Sequence, residues 1–376
     1  MNLVMPVVVL FYRANDMSMQ DIFTLKAIYS FTLMFFEIPT GYFADLVGRR
    51  ISILVGSVLG TTGYLIYSFS NGFTEFVVAE VALGISLSLV SGADSAMLFD
   101  TLKSQGKVEQ YTRIEGKITS VGNFAEAIAG ILGGLLAVVA IRTPFYFQTV
   151  IASFAIPAAL LLREPPVVPH RIKTSAGEVL RIIRMSIYSN RKLSWAIILS
   201  AIIGANTLTM AWLTQPFFIA AGLETAWFGI AWAVLNSGVG MAAFFAWRIE
   251  MRMGSRLTVV LIVAILSVSY LGMSLLPILA GYIVMMIYYL FRGLATPTLR
   301  NYINLLTDSE VRATVLSVRN FIIRLMFAVL GPAIGFITDA YSLQTAFLIS
   351  GLVFGMMGAV SVYFFLKHES YVKQQE

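Results

Sequence analysis

Eleven stretches of this chain run for about twenty residues with scarcely a charge, at 21–42, 51–70, 75–99, 114–140, 143–162, 193–220, 225–247, 257–276, 279–304, 312–339 and 342–366. Each approaches or exceeds the roughly 20 residues that carry a helix across a bilayer core. No water-soluble domain has a core large enough to hide a chain that is 58% hydrophobic and 12% charged. The stretches lack the strict alternation of spanning strands, so helices, which bond every backbone group internally, are the spanning element. The opening "MNLVMPVVVLFY" is too short to span and lacks the basic start and cleavage site of a secretory signal. It reads as the outer half of a first span that begins outside this sequence, giving about twelve spans in the full design.

Basic residues set the expected orientation. With the start inside, the inward loops and tail collect about 20 of the 26 lysines and arginines, among them Arg49, Arg50, Lys103, Lys107, Arg248, Arg252, Arg256 and Lys367. The outward loops collect about three: Arg13, Lys26 and Arg142. Both ends are therefore expected in the cytoplasm, with the protein in the cell membrane. The basic pI of 9.4 is topological and implies no nucleic-acid partner.

Residues 163 to 192 are the long hydrophilic stretch, opening with "REPPVVPHRIKTSAGE" and closing with "VLRIIRMSIYSNRK". Prolines keep the first part from helix. Val179, Ile182, Ile183 and Ile187 against Arg181, Arg184 and Arg191 make the second part read as a helix on the membrane surface. Sliding the chain by about 201 residues lays "SGADSAMLFD" on "RGLATPTLRN" and "GILGG" on "GPAIG". The internal match and the even division of spans predict duplication. The expected organisation is a first six-helix bundle over 1–165 with a partial first span, a cytoplasmic loop over 166–192, and a second six-helix bundle over 193–376. Duplicated bundles around a central site are a common plan of secondary transporters.

Between the second and third spans stands "EIPTGYFADLVGRR". Its Gly41, Asp45, Gly48, Arg49 and Arg50 form G-x-x-x-D-x-x-G-R-R, which resembles the loop signature of the major facilitator superfamily. "SGADSAMLFDTL" ending span four and "RATVLS" opening span eleven are similar to the efflux-type members, and the resemblance covers nearly the whole chain. Leu46 departs from the pattern where a basic residue is common. Glu80 stands where an arginine usually precedes x-x-x-G, here Gly84, and "WRIEMRMGSR" (247–256) is a degenerate second copy of the loop signature. Physically, Gly41 gives room for tight helix packing, Pro39 loosens its helix, and Asp45 is suited to accept amides at a neighbouring helix start. Arg49 and Arg50 are suited to pair with Asp100 or with lipid phosphates. The resemblance implies a gating role; the spacing alone also allows a static staple.

Charges inside spans cost on the order of 2.5–3.5 kcal/mol each at mid-depth, so they face a cavity or one another. The first half carries acids, Glu37, Glu80, Asp94 and Glu126; the second carries arginines, Arg292, Arg319 and Arg324. Glu126 shares a face with Gly122, Asn123, Gly130 and Gly133, and Arg324 one with Ser317, Asn320, Gly331 and Gly335. Under the repeat Arg324 falls on Asn123, so Glu126 and Arg324 are expected to meet between the halves. Glu80 and Asp94 are about 40° apart around span four. Arg319 is shallower and suited to snorkel. Glu126, Arg324, Asp94 and Glu80 are the candidates for proton coupling or charge pairing, and static buried ion pairs are the competing reading. Arg292, Asn123, Asn206, Thr209, Trp212, Gln215 and Asn320 are the candidate substrate contacts, with Tyr29, Trp232 and Asn236 weaker.

No cysteine is present, and His170 and His368 lie in the central loop and the tail, which excludes histidine or thiol metal sites and haem ligation inside the spans. No hydrolase, metalloprotease or phosphate-loop motif stands in the chain, so neither an enzyme nor an ATP-driven pump is indicated. The expectation is an all-α membrane protein of two pseudo-symmetric bundles with no cofactor and no metal. It is expected to act as a monomer on a small-molecule substrate, protons and membrane lipids. Proton-coupled export of a drug or metabolite is the first reading and uptake or exchange of an organic anion the second. A non-transporting receptor or scaffold on the same fold is the alternative of another class.

Overall fold

The structure is a computed structural model that describes residues 2–107, 110–164, 190–307 and 312–372; of the side chains at 112, 116, 119, 120, 123, 313 and 369–372 nothing is said. The chain order is α1 (Val8–Ala14), α2 (Met19–Val47), α3 (Arg49–Phe69), α4 (Phe73–Val90), α5 (Ala93–Ser104), α6 (Tyr111–Val139), α7 (Thr143–Ser153) and α8 (Ala155–Leu161). It continues with α9 (Arg191–Ala220), α10 (Thr225–Met253), α11 (Ser255–Leu275), α12 (Ile278–Leu305), α13 (Arg312–Ala340) and α14 (Leu343–Val372). Ten candidate spans result among the described residues, counting α4 with α5 and α7 with α8 as one each. In α6 the apolar part is Phe124–Val139, because its first half carries Arg113, Glu115 and Lys117. The surface helix read over 179–191 lies almost wholly outside the described residues.

Local chemistry starts and stops these helices. Ser18 and Asp21 form a reciprocal cap on α2, each side chain accepting the other's backbone amide at 3.0 Å. Asn190 caps α9 through Leu193 N at 3.0 Å. Gly48 between α2 and α3 has φ 107°, and Gly254 between α10 and α11 has φ 78°. Both turns need the left-handed backbone that glycine adopts cheaply, so the second-half echo keeps the turn although Met251 and Ser255 stand where the first loop has Asp45 and Arg49. Span four breaks at Ser91 and Gly92 into α4 and α5. The single helical phase used to place Glu80 and Asp94 together therefore does not hold across that break.

The chain divides into two compact units, Met1–Ile172 with Leu223–Ala233, and Lys173–Gly222 with Val234–Glu376. In the first, α3 packs on α4 and α7, and α2 on α4. Gly56 and Gly63 press so closely on α4 that a Cβ at either would sit 2.7 Å from Val90 or Leu83. Gly134 of α6 likewise approaches Gly229, where an added Cβ would lie 2.7 Å from the Gly229 nitrogen. In the second unit α11 packs on α12 and α14, and α9 on α12, α13 and α14. Here Gly351 and Gly358 supply the close approach, against Tyr270 and Leu271 and against Val263.

Candidate functional site

The α2–α3 turn carries the loop signature. Arg49 forms an ion pair with Asp100 at the end of α5, both side chains being about one-fifth exposed. Arg50 turns elsewhere and donates through Nη2 to Leu160 O at 2.6 Å. Just past α8, the Glu164 carboxylate accepts the Arg49 and Arg50 amides, one on each oxygen, at 2.8 Å. Those amides are the unsatisfied donors at the start of α3, where the helix dipole favours a carboxylate. Glu164 was missed because it stands 115 residues away in sequence from the helix it caps; the lone acid in "REPP" was its signal. Asp45 is exposed in the last turn of α2, and Glu37 is exposed as well. A Cβ at Gly41 would meet nothing within 4 Å among the described residues.

At the other end of this unit lies a cluster that charge counting did not foresee. Glu80 of α4 is 1% exposed and receives the hydroxyls of Tyr12, at 2.9 Å, and Tyr67 and the ammonium of Lys26. The two tyrosine oxygens are 2.6 Å apart, and Lys26 Nζ lies 5.2 Å from the Tyr12 ring centre. Four helices, α1 to α4, thus converge on one carboxylate, wrapped by the buried rings of Phe11, Phe76 and Phe145. Lys26 is no loop residue; it lies two turns inside α2 with its side chain 13% exposed. The expectation of a purely acidic first half is thereby corrected. Its reason is physical: a lysine so near a helix end reads as interfacial until its buried partner is known. Nearby, Arg142 closes the unit's end by donating to Ser70 O at 2.8 Å and to Asn15 Oδ1 at 2.5 Å.

Glu126 is half-buried in α6, and Tyr64 of α3 lies within electrostatic reach of Glu126, Glu80 and Tyr29. Asp94 is exposed in the first turn of α5 and accepts the Ser95 amide at 2.6 Å, so it is not gathered with Glu80. The side chain of Asn123 lies outside the described residues.

In the second unit, α9 brings a polar lattice into the core. Asn206 is buried; its backbone oxygen accepts Tyr270 Oη at 2.9 Å, and its Oδ1 accepts Tyr288 Oη at 2.5 Å. Its acceptors are thus engaged by α11 and α12. Thr214 and Tyr289 share a hydrogen bond of 2.9 Å. Trp212 and Gln215 are buried. Arg292 stacks over Tyr289 at 5.2 Å, and its Nη1, like the Thr209 hydroxyl, is buried with no hydrogen-bond partner among the described residues. Arg319 does not snorkel: its Nε donates to Ser200 Oγ of α9 at 2.5 Å and its Nη1 to Asn320 Oδ1 at 3.0 Å. Asn320 is exposed, and Arg324 is half-buried on α13.

The sequence pattern described as Major Facilitator Superfamily matches residues 1–330. The chain belongs to that family. This superfamily member is 24% identical over 394 residues to the Quinolone resistance protein NorA of Staphylococcus aureus (strain MRSA252), covering 100% of this chain and 95% of that protein. It is 24% identical over 177 residues to Multidrug resistance protein 2 of Bacillus subtilis (strain 168), covering 46% of this chain and 43% of that protein. Its fold is similar to that of the nucleoside transporter NupG, with TM-score 0.75 and 12% identity over 98% of this chain and 93% of the other. The D-xylose-proton symporter gives TM-score 0.76 and 13% identity over 97% and 92%. The protein is thus an all-helical, multi-pass membrane transporter of the superfamily and not an enzyme.

Proposed function

We propose that this transporter exports small organic molecules by alternating access and that inward proton flow drives the export. The observation that carries this reading is the buried Glu80 with its three donors. A buried carboxylate is held in a low-dielectric bundle by its donors, so a conformational change that separates Lys26 from Glu80 is the step at which proton movement and transport are coupled in this reading. Tyr64, in reach of both Glu80 and Glu126, links this acid to the half-buried one on α6. In the same reading Glu126 and Arg324 answer one another between the halves, Asp94 is a further coupling acid, and Asp45 with the Arg49–Asp100 pair belongs to the gate. The quinolone and multidrug resistance relatives support export of amphipathic organic molecules.

Purified protein in liposomes tests the proposal. A fluorescent amphipathic substrate is expected to accumulate against its gradient only when the pH differs across the membrane; binding without movement would support a receptor instead. Glu126→Gln is expected to abolish acid-driven accumulation while sparing counterflow exchange, and survival of both would remove Glu126 from coupling. Asp45→Asn is expected to slow transport with ligand binding intact, and unchanged kinetics would count against the gate.

A second reading, uptake or exchange of an organic anion, is favoured by one observation: the Nη1 of Arg292, over the Tyr289 ring, is buried with no hydrogen-bond partner among the described residues. If it is right, Arg292→Gln raises KM for carboxylate substrates at least ten-fold and leaves neutral ones unchanged.

A further inference from the structure

We propose that the second unit holds an anionic phospholipid, its acyl chain in a groove between α10, α11 and α12 and its phosphate on the arginines of the α10–α11 turn. The groove has a volume of about 280 Å³ and is almost wholly apolar, its floor formed by Phe245, Ile249, Met253, Leu261 and Leu294. Thr258, its one hydroxyl, spends its proton on Gly254 O at 2.8 Å. Nothing in the groove therefore offers a hydrogen bond to a polar ligand.

Depth and charge identify the occupant. The α10 residues of the groove run from Met241 to Met253. At helical rise that is about 18 Å, close to half of a hydrocarbon core of about 30 Å. The groove thus has the length of one leaflet, and it ends at the turn that carries Arg248, Arg252 and Arg256, all exposed. Arg248 and Arg252 stand three residues after the groove residues Phe245 and Ile249, so they flank the same helical stripe. The Arg248 guanidinium also lies 5.7 Å from the Phe245 ring and 5.2 Å from that of Trp247, which holds it over the groove's mouth. Glu250 is the one acid among these residues, leaving a net charge of about +2 at the depth of a lipid headgroup. Ordinary boundary lipid would need only the apolar face. The three arginines at its end select for a phosphate-bearing, negatively charged head.

The test uses the full chain in bilayers of phosphatidylcholine into which brominated phosphatidylglycerol or brominated phosphatidylcholine is titrated. Quenching of Trp247 is taken as the difference between the wild type and Trp247→Phe. Phosphatidylglycerol is expected to quench at lower mole fraction than phosphatidylcholine. Arg248→Gln and Arg252→Gln are each expected to lower that preference by up to about five-fold, from roughly 1 kcal/mol per basic residue near a membrane surface. Ala242→Phe, which fills the groove, is expected to weaken quenching by both lipids. Equal quenching by the two lipids in the wild type, or a preference untouched by both arginine variants, would overturn the proposal. These arginines are exposed, and an unchanged melting temperature separates loss of lipid from loss of fold.

Discussion

Glu80 shows how much one residue can depend on partners that are distant in sequence. Alone in a span, its charge would cost several kcal/mol; with Lys26, Tyr12 and Tyr67 around it the carboxylate has a donor on every side that the helices offer. Breaking a buried pair by removing one member is costlier than removing both, because the survivor stays buried without compensation. Lys26→Met is therefore expected to lower unfolding stability by about 3–5 kcal/mol, and adding Glu80→Gln is expected to restore part of the loss. Denaturation of the purified variants as a double-mutant cycle measures this; additive losses would mean that the two charges do not stabilise one another. That Glu80 lay inside a span was legible from the sequence. Its pairing with a lysine 54 residues earlier was not, because an isolated lysine near a helix end has the same signature whether it faces water or a carboxylate.

Among the elements, the two interhelical turns make a natural comparison. Gly48 and Gly254 both have the left-handed backbone, but a Cβ at Gly48 would also lie 3.3 Å from the Glu164 carboxylate, whereas at Gly254 nothing among the described residues stands within 4 Å. Gly254→Ala is expected to cost about 1–2 kcal/mol, the backbone term alone. Gly48→Ala is expected to cost about 1 kcal/mol more, the value of a displaced helix cap. Thermal melts of the two variants, with Glu164→Ala as the reference for the cap, check the order; equal losses would show that Glu164 contributes little. The helices themselves were readable, since all eleven apolar stretches fall on helices. The interruption at Ser91 and Gly92 was not, because the short polar run "SGADS" does not by itself say whether a helix breaks or runs through it, and only backbone geometry separates α4 from α5.

For the whole molecule, an antiparallel order of spans makes a prediction that the absence of native cysteine leaves open to direct measurement. Single cysteines placed at Ser70, in the turn between α3 and α4, and at Gly106, in the turn after α5, are separated by one span. They are expected to react with a membrane-impermeant maleimide from opposite sides, Ser70→Cys from outside intact cells and Gly106→Cys only after permeabilisation, as the distribution of lysine and arginine requires. Labelling of both from one side would break the topology on which the transport reading stands.

The sequence by itself determined the solvent, the element type, the positions of the spans and the family, because each of these follows from runs and motifs within some twenty residues of chain. Tertiary structure alone decided which polar groups are partners: Glu80 with Lys26, Glu164 with the start of α3, Asn206 with Tyr270 and Tyr288. These contacts join residues between 54 and 115 positions apart. In lipid, where every helix is apolar and greasy faces look alike, a one-dimensional pattern tells which residues must find a partner but not which helix will bring it.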